Sequence, residues 1–431
     1  MYSPVASLVA LRILIHASAR FDFKLFQLDV SGAFLYGKLN SPVYLELPTG
    51  HCQRRGRHLV WKSYTALYGL VQAPAVWNQT MHSFLTNFGF KNLCTESCIY
   101  VLRGVTGNLD VMVILYVDDV LFTGVTLRVE NFKSAISKKF KVKMSDDPKE
   151  FIGVEVKRQS NEVLLAQPKH ILKAVEAYGL KGAKPYSTPL DPTSMNVEDS
   201  PTLEDPKLFQ KLLGSLNYIA QASRPDLVFA VGFLARHGKN PTMAAYRKAK
   251  RSLVYLRDTI NLALVYRKQK VEKNELIMYV DSSFANGTGK RSIYGFIVLL
   301  NSSVILYKSK QQPIVTLSST EAEFVGLALS IKEVKWIKSI LEELNLKPDL
   351  CVIYSDNQGC IKIATNKSST ERSKHVDIKL QYSKQHILSG EMELRYVRTT
   401  DNVADIFTKP LRRLDFQKFT KWIFGNWKED E

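Results

Sequence analysis

The stretch Val111-Met112-Val113-Ile114-Leu115-Tyr116-Val117-Asp118-Asp119-Val120-Leu121-Phe122-Thr123-Gly124 reads as two apolar strands joined by a pair of carboxylates. Its β-branched and aromatic content predicts strands over Val111–Tyr116 and Val120–Thr123. Two adjacent acids between apolar strands are costly unless the turn is solvated or a cation neutralises them. Taken alone, the pair leaves both readings open: an Asp-containing hairpin turn, or a metal site. A second acid bears on the choice. In Gln27-Leu28-Asp29-Val30 a carboxylate again ends an apolar strand, Leu25–Val30, and pairing of the strands would bring Asp29 next to Asp118. Carboxylates that converge at strand ends can hold two divalent ions about 4 Å apart, one activating an attacking hydroxyl and the other stabilising a leaving phosphate oxygen. Mg²⁺ suits such a site because it takes oxygen ligands.

Around this core the chain alternates strands and helices. Val43–Leu47 and Phe151–Val156 are further strand candidates, and helical spacing covers Ala75–Phe88 and Val129–Phe140. The pattern is α/β. Residues 181–206 contain Pro185, Pro189, Pro192, Pro201 and Pro206 among Ser, Thr, Asp and Glu, a composition that opposes regular structure and reads as a connection. From Leu208 to about Leu264 the apolar spacing is helical, with Leu212, Leu216, Ile219, Ala249, Leu253 and Leu256. After Glu272 the pattern returns to α/β. Strands are predicted at Leu276–Val280, Ile293–Asn301, Val304–Ser309, Cys351–Ser355 and Met392–Val397, with a long helix over Thr320–Leu344 and a short one from Gln358.

The same arrangement of acids recurs there. Ile277-Met-Tyr-Val280-Asp281 and Val352-Ile-Tyr-Ser355-Asp356 each set a carboxylate after apolar strand residues. Ser318-Ser-Thr320-Glu321-Ala-Glu323 opens the long helix. Ser318 with Glu321 has capping-box spacing, which is a sufficient structural role for Glu321. Thr320 could cap toward Glu323 in the same way, so spacing alone leaves Glu323 either structural or catalytic.

The whole chain has 431 residues, 45% of them hydrophobic and 10% aromatic, enough for sizeable cores in two or three domains. Its 59 Lys+Arg against 41 Asp+Glu give a formal charge of +18, which points to a polyanionic partner, nucleic acid first. Lys133, Lys138, Lys139, Lys141 and Lys143 could meet backbone phosphates or simply form a solvated helix face. Apolar runs such as Val111–Tyr116 and Val228–Ala235 fall short of the roughly 18 residues needed to span a bilayer, so no membrane partner is expected. Arg12 interrupts the mildly apolar beginning, and a cleaved signal peptide is not expected. Five scattered cysteines, Cys52, Cys94, Cys98, Cys351 and Cys360, fit a reduced intracellular protein, and no second pair beside Cys94 and Cys98 completes a zinc site.

Tyr116-Val117-Asp118-Asp119 resembles the YVDD box of reverse transcriptases of copia-type LTR retrotransposons. The resemblance extends through Gln27-Leu-Asp29-Val-Ser-Gly-Ala-Phe34-Leu-Tyr-Gly37, Ala66-Leu-Tyr68-Gly69-Leu-Val-Gln72-Ala-Pro74-Ala-Val-Trp77, Phe151-Ile-Gly153-Val-Glu-Val, Ser215-Leu-Asn-Tyr and Arg224-Pro-Asp226, nearly end to end. It implies that Asp29 and Asp118 are the principal metal ligands and that Asp119 belongs to the site. Phe34 matches the aromatic gate that excludes a 2′-hydroxyl, with an ordinary core aromatic as the alternative. Tyr68, Gly69, Gln72 and Pro74 match the segment lining the nucleotide pocket and template, where a Gly/Pro-containing loop before a helix is the bland reading. Val71 and Ala75 stand where family members commonly carry Lys and Arg. The match begins at Tyr2-Ser-Pro-Val, so the family's preceding strands, which form much of the fingers, are expected to be missing.

The order of acids after Glu272 resembles the RNase H fold, whose family sets four carboxylates around two Mg²⁺ ions to hydrolyse RNA in an RNA–DNA hybrid. Carried over, these are Asp281, Glu323, Asp356 and Asp405, the last in Asn402-Val-Ala-Asp405-Ile-Phe-Thr-Lys near the final helix. An Asp near a helix start is by itself usually electrostatic, and only the copia-type segment singles out Asp405. His375 in Lys374-His-Val-Asp377 also resembles a family segment, and a structural role is preferred for it.

The resemblance therefore implies an α/β (α+β) protein: a right-hand polymerase palm with partial fingers at 1–185, a linker and helical thumb/connection at 186–272, and an RNase H-like domain at 273–431. It implies an RNA-directed DNA polymerase with RNase H activity in retrotransposition, working by two-Mg²⁺ phosphoryl transfer, with Mn²⁺ as an alternative ion. The implied partners are RNA template, DNA primer, RNA–DNA hybrid and deoxynucleoside triphosphates, with integrase and capsid of the parent element beside them. The setting is intracellular, a cytoplasmic virus-like particle and/or the nucleus. The alternative is a truncated, non-polymerising relic that only binds nucleic acid or retains only RNase H activity.

Overall fold

The computed structural model describes residues 3–48, 59–269, 273–366 and 374–425, with the backbone alone for 374–377. Cys52 and the side chains of His375 and Asp377 lie outside the described residues. The chain divides into two compact units, Met1–Pro148 and Lys149–Glu431. The expected boundaries at 185 and 272 both fall inside the second unit.

In the first unit a six-stranded sheet has the order β4-β5-β6-β7-β1-β8. Its strands are β1 (Leu25–Val30), β4 (Lys91–Asn92), β5 (Ile99–Arg103), β6 (Leu109–Tyr116), β7 (Asp119–Gly124) and β8 (Val142–Ser145), while β2 (Lys38–Glu46) and β3 (Val60–Thr65) form a separate ribbon. Val111–Leu115 is buried without alternation, so both faces of the sheet centre are covered. Helix α1 (Leu8–Arg20) packs on β6 and β7. Helices α2 (Ala73–Phe88) and α3 (Thr126–Lys139) contribute Trp77, Met81, Leu85, Val129, Phe132 and Ile136 to one core with Val111, Val113, Phe122, Phe26 and Leu28. Lys133 of the basic stretch has a structural role, pairing with Glu130 at 3.0 Å and Asp146 at 2.8 Å.

The second unit opens with the sheet β12-β11-β10-β9, made of β9 (Glu150–Phe151), β10 (Val154–Arg158), β11 (Glu162–Ala166) and β12 (Leu264–Arg267). The expected strand Phe151–Val156 is in fact broken into β9 and β10. Ile152 and Gly153 take φ of 47° and 67° and turn the chain back on itself, and glycine accepts that left-handed conformation readily. Between β11 and β12 lie α4 (Pro168–Ala177), which the spacing does not predict, and then α5 (Pro206–Ala222), α6 (Val228–Ala235) and α7 (Met243–Asp258) in the helical region that it does. Arg224 and Asp226 are buried together as a bidentate pair, with Nε–Oδ1 at 2.9 Å and Nη2–Oδ2 at 2.7 Å, and the Tyr255 hydroxyl donates to the same carboxylate.

A five-stranded sheet of order β15-β14-β13-β16-β17 completes the unit. It comprises β13 (Glu275–Ser283), β14 (Ile293–Leu300), β15 (Ser303–Gln311), β16 (Leu350–Ser355) and β17 (Glu393–Tyr396). Three antiparallel strands are followed by α8 (Ser319–Glu343) and by β16, parallel to β13, which is the RNase H-like order. Then come α9 (Gln358–Thr365), α10 (Lys374–Leu388) and α11 (Arg413–Ile423). No helix among the described residues is long and apolar enough to cross a membrane.

Candidate active sites

In the second unit the sequence-predicted acids meet at the centre of the five-stranded sheet. One carboxylate oxygen from each of Asp281, Asp356 and Asp405 lies within 4.8 Å of the others. Asp281 sits inside β13 opposite Gly295, two residues before the strand ends. Asp356 follows β16 directly, and Asn357 behind it caps α9 by accepting from the Cys360 amide at 2.8 Å. Asp405 lies within a short 3₁₀ segment, Val403–Phe407, eight residues before α11 begins at Arg413. Its carboxylate stands with those of Asp281 and Asp356.

Glu323 faces this group from the second turn of α8 and feels the charges of Asp281 and Asp356. Ser318 is the N-cap and accepts from the Glu321 amide at 3.1 Å, while the Glu321 carboxylate reaches back to the Leu317 amide at 2.6 Å. Capping is thus done by Ser318 and Glu321, and Glu323 is buried toward Asp281 and Asp356. Two glycines permit the close approach. A Cβ on Gly295 would lie 2.3 Å from the Phe407 Cβ, and one on Gly326 would lie 2.1 Å from the Ser282 Oγ. The first lets the Asp405 segment press against β14, and the second lets α8 lie against β13.

The electrostatics follow from crowding acids away from water. Burial raises the Asp281 carboxyl above the ordinary range, and the neighbouring Asp356 charge adds to it. Burial first, then Asp281, pushes Asp405 up to about 7. Glu323 is raised by burial and by the charges of Asp281 and Asp356. Three side chains steady the cluster: Thr408 donates to Asp281, Lys409 pairs with Asp405 at 2.9 Å, and the Asn402 amide donates to Asp356 at 3.3 Å and to the Val280 carbonyl at 3.1 Å. Sequence reasoning assigned no role to these three, although all lie in the segment that singled out Asp405. An all-oxygen set in which burial first, and neighbouring charges after it, raise Asp281, Glu323 and Asp405 is the donor set a hard divalent cation fits.

In the first unit Asp29 faces Asp119 directly across the β1–β7 pair, and the Val30 amide donates to the Asp118 carbonyl at 3.1 Å. Tyr116 pairs with Asp119, so Val117 and Asp118 form a two-residue turn. Val117 has φ of 57°, a position glycine normally takes. The Trp77 indole Nε1 donates to the Val117 carbonyl at 2.7 Å and holds that turn from α2. Burial raises the Asp119 carboxyl, with the charges of Asp118 and Asp29 adding to the shift against a long 3.5 Å contact from the Gln27 amide. The three acids are half-buried. Among the described residues, the group of three drawn within 4.8 Å is the one in the second unit.

Residues 1–192 match the family model described as reverse transcriptase (RNA-dependent DNA polymerase). These residues belong to the reverse transcriptase family. The chain as a whole is similar to the retrovirus-related Pol polyproteins of the copia-type transposons RE2 and RE1 of Arabidopsis thaliana. It is 33% identical to the first over 426 residues and 34% identical to the second over 432, in each case over 98% of this chain and 29% of the relative. It therefore spans about 29% of the length of these curated relatives. Among solved structures, the foamy viral protease-reverse transcriptase in complex with dsDNA aligns with 87% of this chain and 68% of its own, at 13% identity and a TM-score of 0.45.

In the reverse transcriptase domain, Phe34 lies in a 3₁₀ turn, Ala33–Tyr36, after β1, and its ring centroid is 4.6 Å from that of Tyr68. Phe34 is half-buried against the core, whereas Tyr68 is 57% exposed, so the pair offers one aromatic surface rather than two buried rings. Gly69 has φ of 96° and turns the chain toward α2, whose N-cap is Gln72 and whose first turn contains Pro74. The Gln72 side chain makes no capping bond there.

Proposed function

We propose that the chain acts in retrotransposition as an RNA-directed DNA polymerase joined to a ribonuclease H. The first unit extends a primer's 3′-hydroxyl on an RNA or DNA template with deoxynucleoside triphosphates, and the second removes RNA from the hybrid. The observation that carries the reading is a set of acids closing apolar strands in each unit, Asp29 facing Asp119 beside Asp118, and Asp281 grouped with Asp356 and Asp405.

Asp29, Asp118 and Asp119 would hold metal in the polymerase site, and Asp281, Glu323, Asp356 and Asp405 in the nuclease site. Mg²⁺, two ions per site, suits these oxygen donors, with Mn²⁺ as the alternative; when bound it supplies charge neutralisation for phosphoryl transfer. Thr408, Lys409 and Asn402 hold Asp281, Asp405 and Asp356 in place. Phe34 blocks a 2′-hydroxyl on the incoming nucleotide, while Tyr68, Gly69, Gln72 and Pro74 border nucleotide and template. The surplus of 18 positive charges supplies salt-dependent grip on the hybrid without base readout. The setting is intracellular, a cytoplasmic virus-like particle and/or the nucleus, with integrase and capsid of the parent element as companions.

The test is incubation of the chain with Mg²⁺ and a recessed primer on an RNA template, following primer extension and RNA cleavage together. Extension lost in Asp29→Asn and cleavage lost in Asp281→Asn are the expected results. The tighter grouping of acids in the second unit favours one further reading, a chain that acts through RNase H alone. Cleavage without any extension would select it, and silence in both assays would leave a nucleic-acid-binding relic.

A further inference from the structure

A cavity of about 500 Å³ lies between the helical segment and the turn that joins β13 to β14. Its walls include Asn196, Glu198, Arg236, His237 and the turn Gly287–Lys290. The turn begins four residues past the end of β13 at Ser283, six beyond Asp281. None of these residues has a role in either site described above.

Arg236 is the informative side chain. Its guanidinium is half-buried, donates to the Asn286 carbonyl at 3.3 Å and lies 5.9 Å over the Phe233 ring. Among the described residues no carboxylate pairs with it. A guanidinium withdrawn from water with only a carbonyl and a ring for company is under-compensated, and burial lowers its pKa with no acid offsetting the effect. An anion would restore the balance. Lys290 adds a second, exposed cation on the rim. Gly289 has φ of 66°, and a Cβ there would meet nothing within 4 Å, so the turn leaves open backbone beside both cations. The acid of the lining, Glu198, lies exposed at the edge and acts on His237.

We infer that this cavity binds a phosphate group of the nucleic-acid strand running on from the nuclease site, with Arg236 and Lys290 as its cationic ligands. Size and openness suit a strand segment, because a phosphodiester is smaller than the space and must enter and leave along the chain. Arginine presents a planar fork that matches phosphate oxygens, and lysine a point charge. The proposal rests on the nuclease reading for its substrate, but its test does not depend on cleavage.

Binding of a labelled RNA–DNA hybrid by the full chain is measured in EDTA across a range of salt. Arg236→Ala should weaken binding about five- to tenfold and flatten the salt dependence by about one unit of slope, the signature of one lost phosphate contact. Lys290→Ala, on an exposed turn where folding is not at stake, should do the same more weakly. Arg236→Lys should keep most of the affinity, and Glu198→Gln should tighten binding. Unchanged affinity and slope in both alanine variants, with unaltered melting temperature, would overturn the proposal. Inorganic phosphate distinguishes the sources: weak competition with the hybrid at millimolar phosphate is expected, whereas saturation of an Arg236-dependent site by phosphate without any effect of Arg236→Ala on hybrid binding would reject the strand as occupant. Loss of cleavage in Asp281→Asn is scored separately, so failure of the nuclease reading and failure of this cavity are distinguishable.

Discussion

Gly295 faces Asp281 across the β13–β14 pair, and what it contributes is the lack of a side chain. With the Phe407 Cβ standing where an alanine methyl would be, Gly295→Ala must push the Val403–Phe407 segment outward and carry Asp405 with it. The expected outcome is an overpacking penalty of about 1–3 kcal/mol together with loss of most RNA cleavage, while primer extension is retained. Paired melting and cleavage assays check this, and cleavage at the wild-type rate would show that Asp405 tolerates displacement. Trp77 makes a comparable case in the reverse transcriptase domain. Trp77→Phe keeps an aromatic ring in the core but leaves the Val117 carbonyl without its indole donor, which should destabilise by about 1–2 kcal/mol. A strained Val117 then loses its tether, so primer extension should fall more than thermal stability accounts for. Asp29, Asp118, Asp281 and Asp356 drew notice in the sequence because a carboxylate ending an apolar strand calls for an explanation wherever it occurs, whereas Glu323 and Asp405 end no strand and only the resemblance singled them out. Gly295, Gly326, Thr408 and Trp77 were not assigned, because their roles exist only when segments distant in sequence touch.

At the scale of elements, α1 shows what a pattern of apolar residues conceals. The helix carries Arg12 and His16 into the interior, one turn apart, and nothing among the described residues hydrogen-bonds either ring nitrogen of His16. Burial, with Arg20 nearby, lowers its pKa to about 3 from the usual 6.5. The folded state therefore holds His16 neutral where the unfolded chain would bind a proton, so this contribution to stability is complete above pH 6.5. It is lost progressively as the pH falls toward 3, by at most about 1.4 kcal/mol per pH unit. Denaturant midpoints at pH 7 and pH 5 should diverge more in the wild type than in His16→Leu, and equal divergence would remove His16 as the cause. Other elements show where sequence periodicity succeeds and where it fails. The long helix and the strands around Asp281 and Asp356 stand within a few residues of their expected limits, since burial on one or both faces imposes the pattern. Phe151–Val156 was read as one strand because the Ile152-Gly153 turn interrupts neither hydrophobicity nor β-propensity. Helices α1, α4, α10 and α11 were not identified as elements.

At the scale of the whole molecule, the Arg224–Asp226 pair is a costly polar group to disturb. It is fully buried, bidentate and shared with Tyr255 and the Thr259 carbonyl, and its low-dielectric surroundings allow neither charge to stand alone. Asp226→Ala should destabilise the second unit by about 3–5 kcal/mol, measurable as a lower denaturant midpoint, whereas a hydrophobic replacement of both partners should cost much less. A single substitution with no more effect than a surface change would mean that water reaches the site. The domain partition was the least legible feature, because residues 186–272 look like a linker and helices by composition while their tertiary bonds are made on both sides. Strand β12 pairs with β11, which precedes the helices, and the Tyr266 hydroxyl donates to the Val304 carbonyl of β15 at 2.8 Å. From β15, Tyr307 donates back to the Ala220 and Gln221 carbonyls at the end of α5. A cut near residue 272 therefore severs two partners that rely on each other's surface: a fragment beginning there should be sticky and short-lived in a proteolysis time course, whereas one beginning near Lys149 should persist as a resistant core.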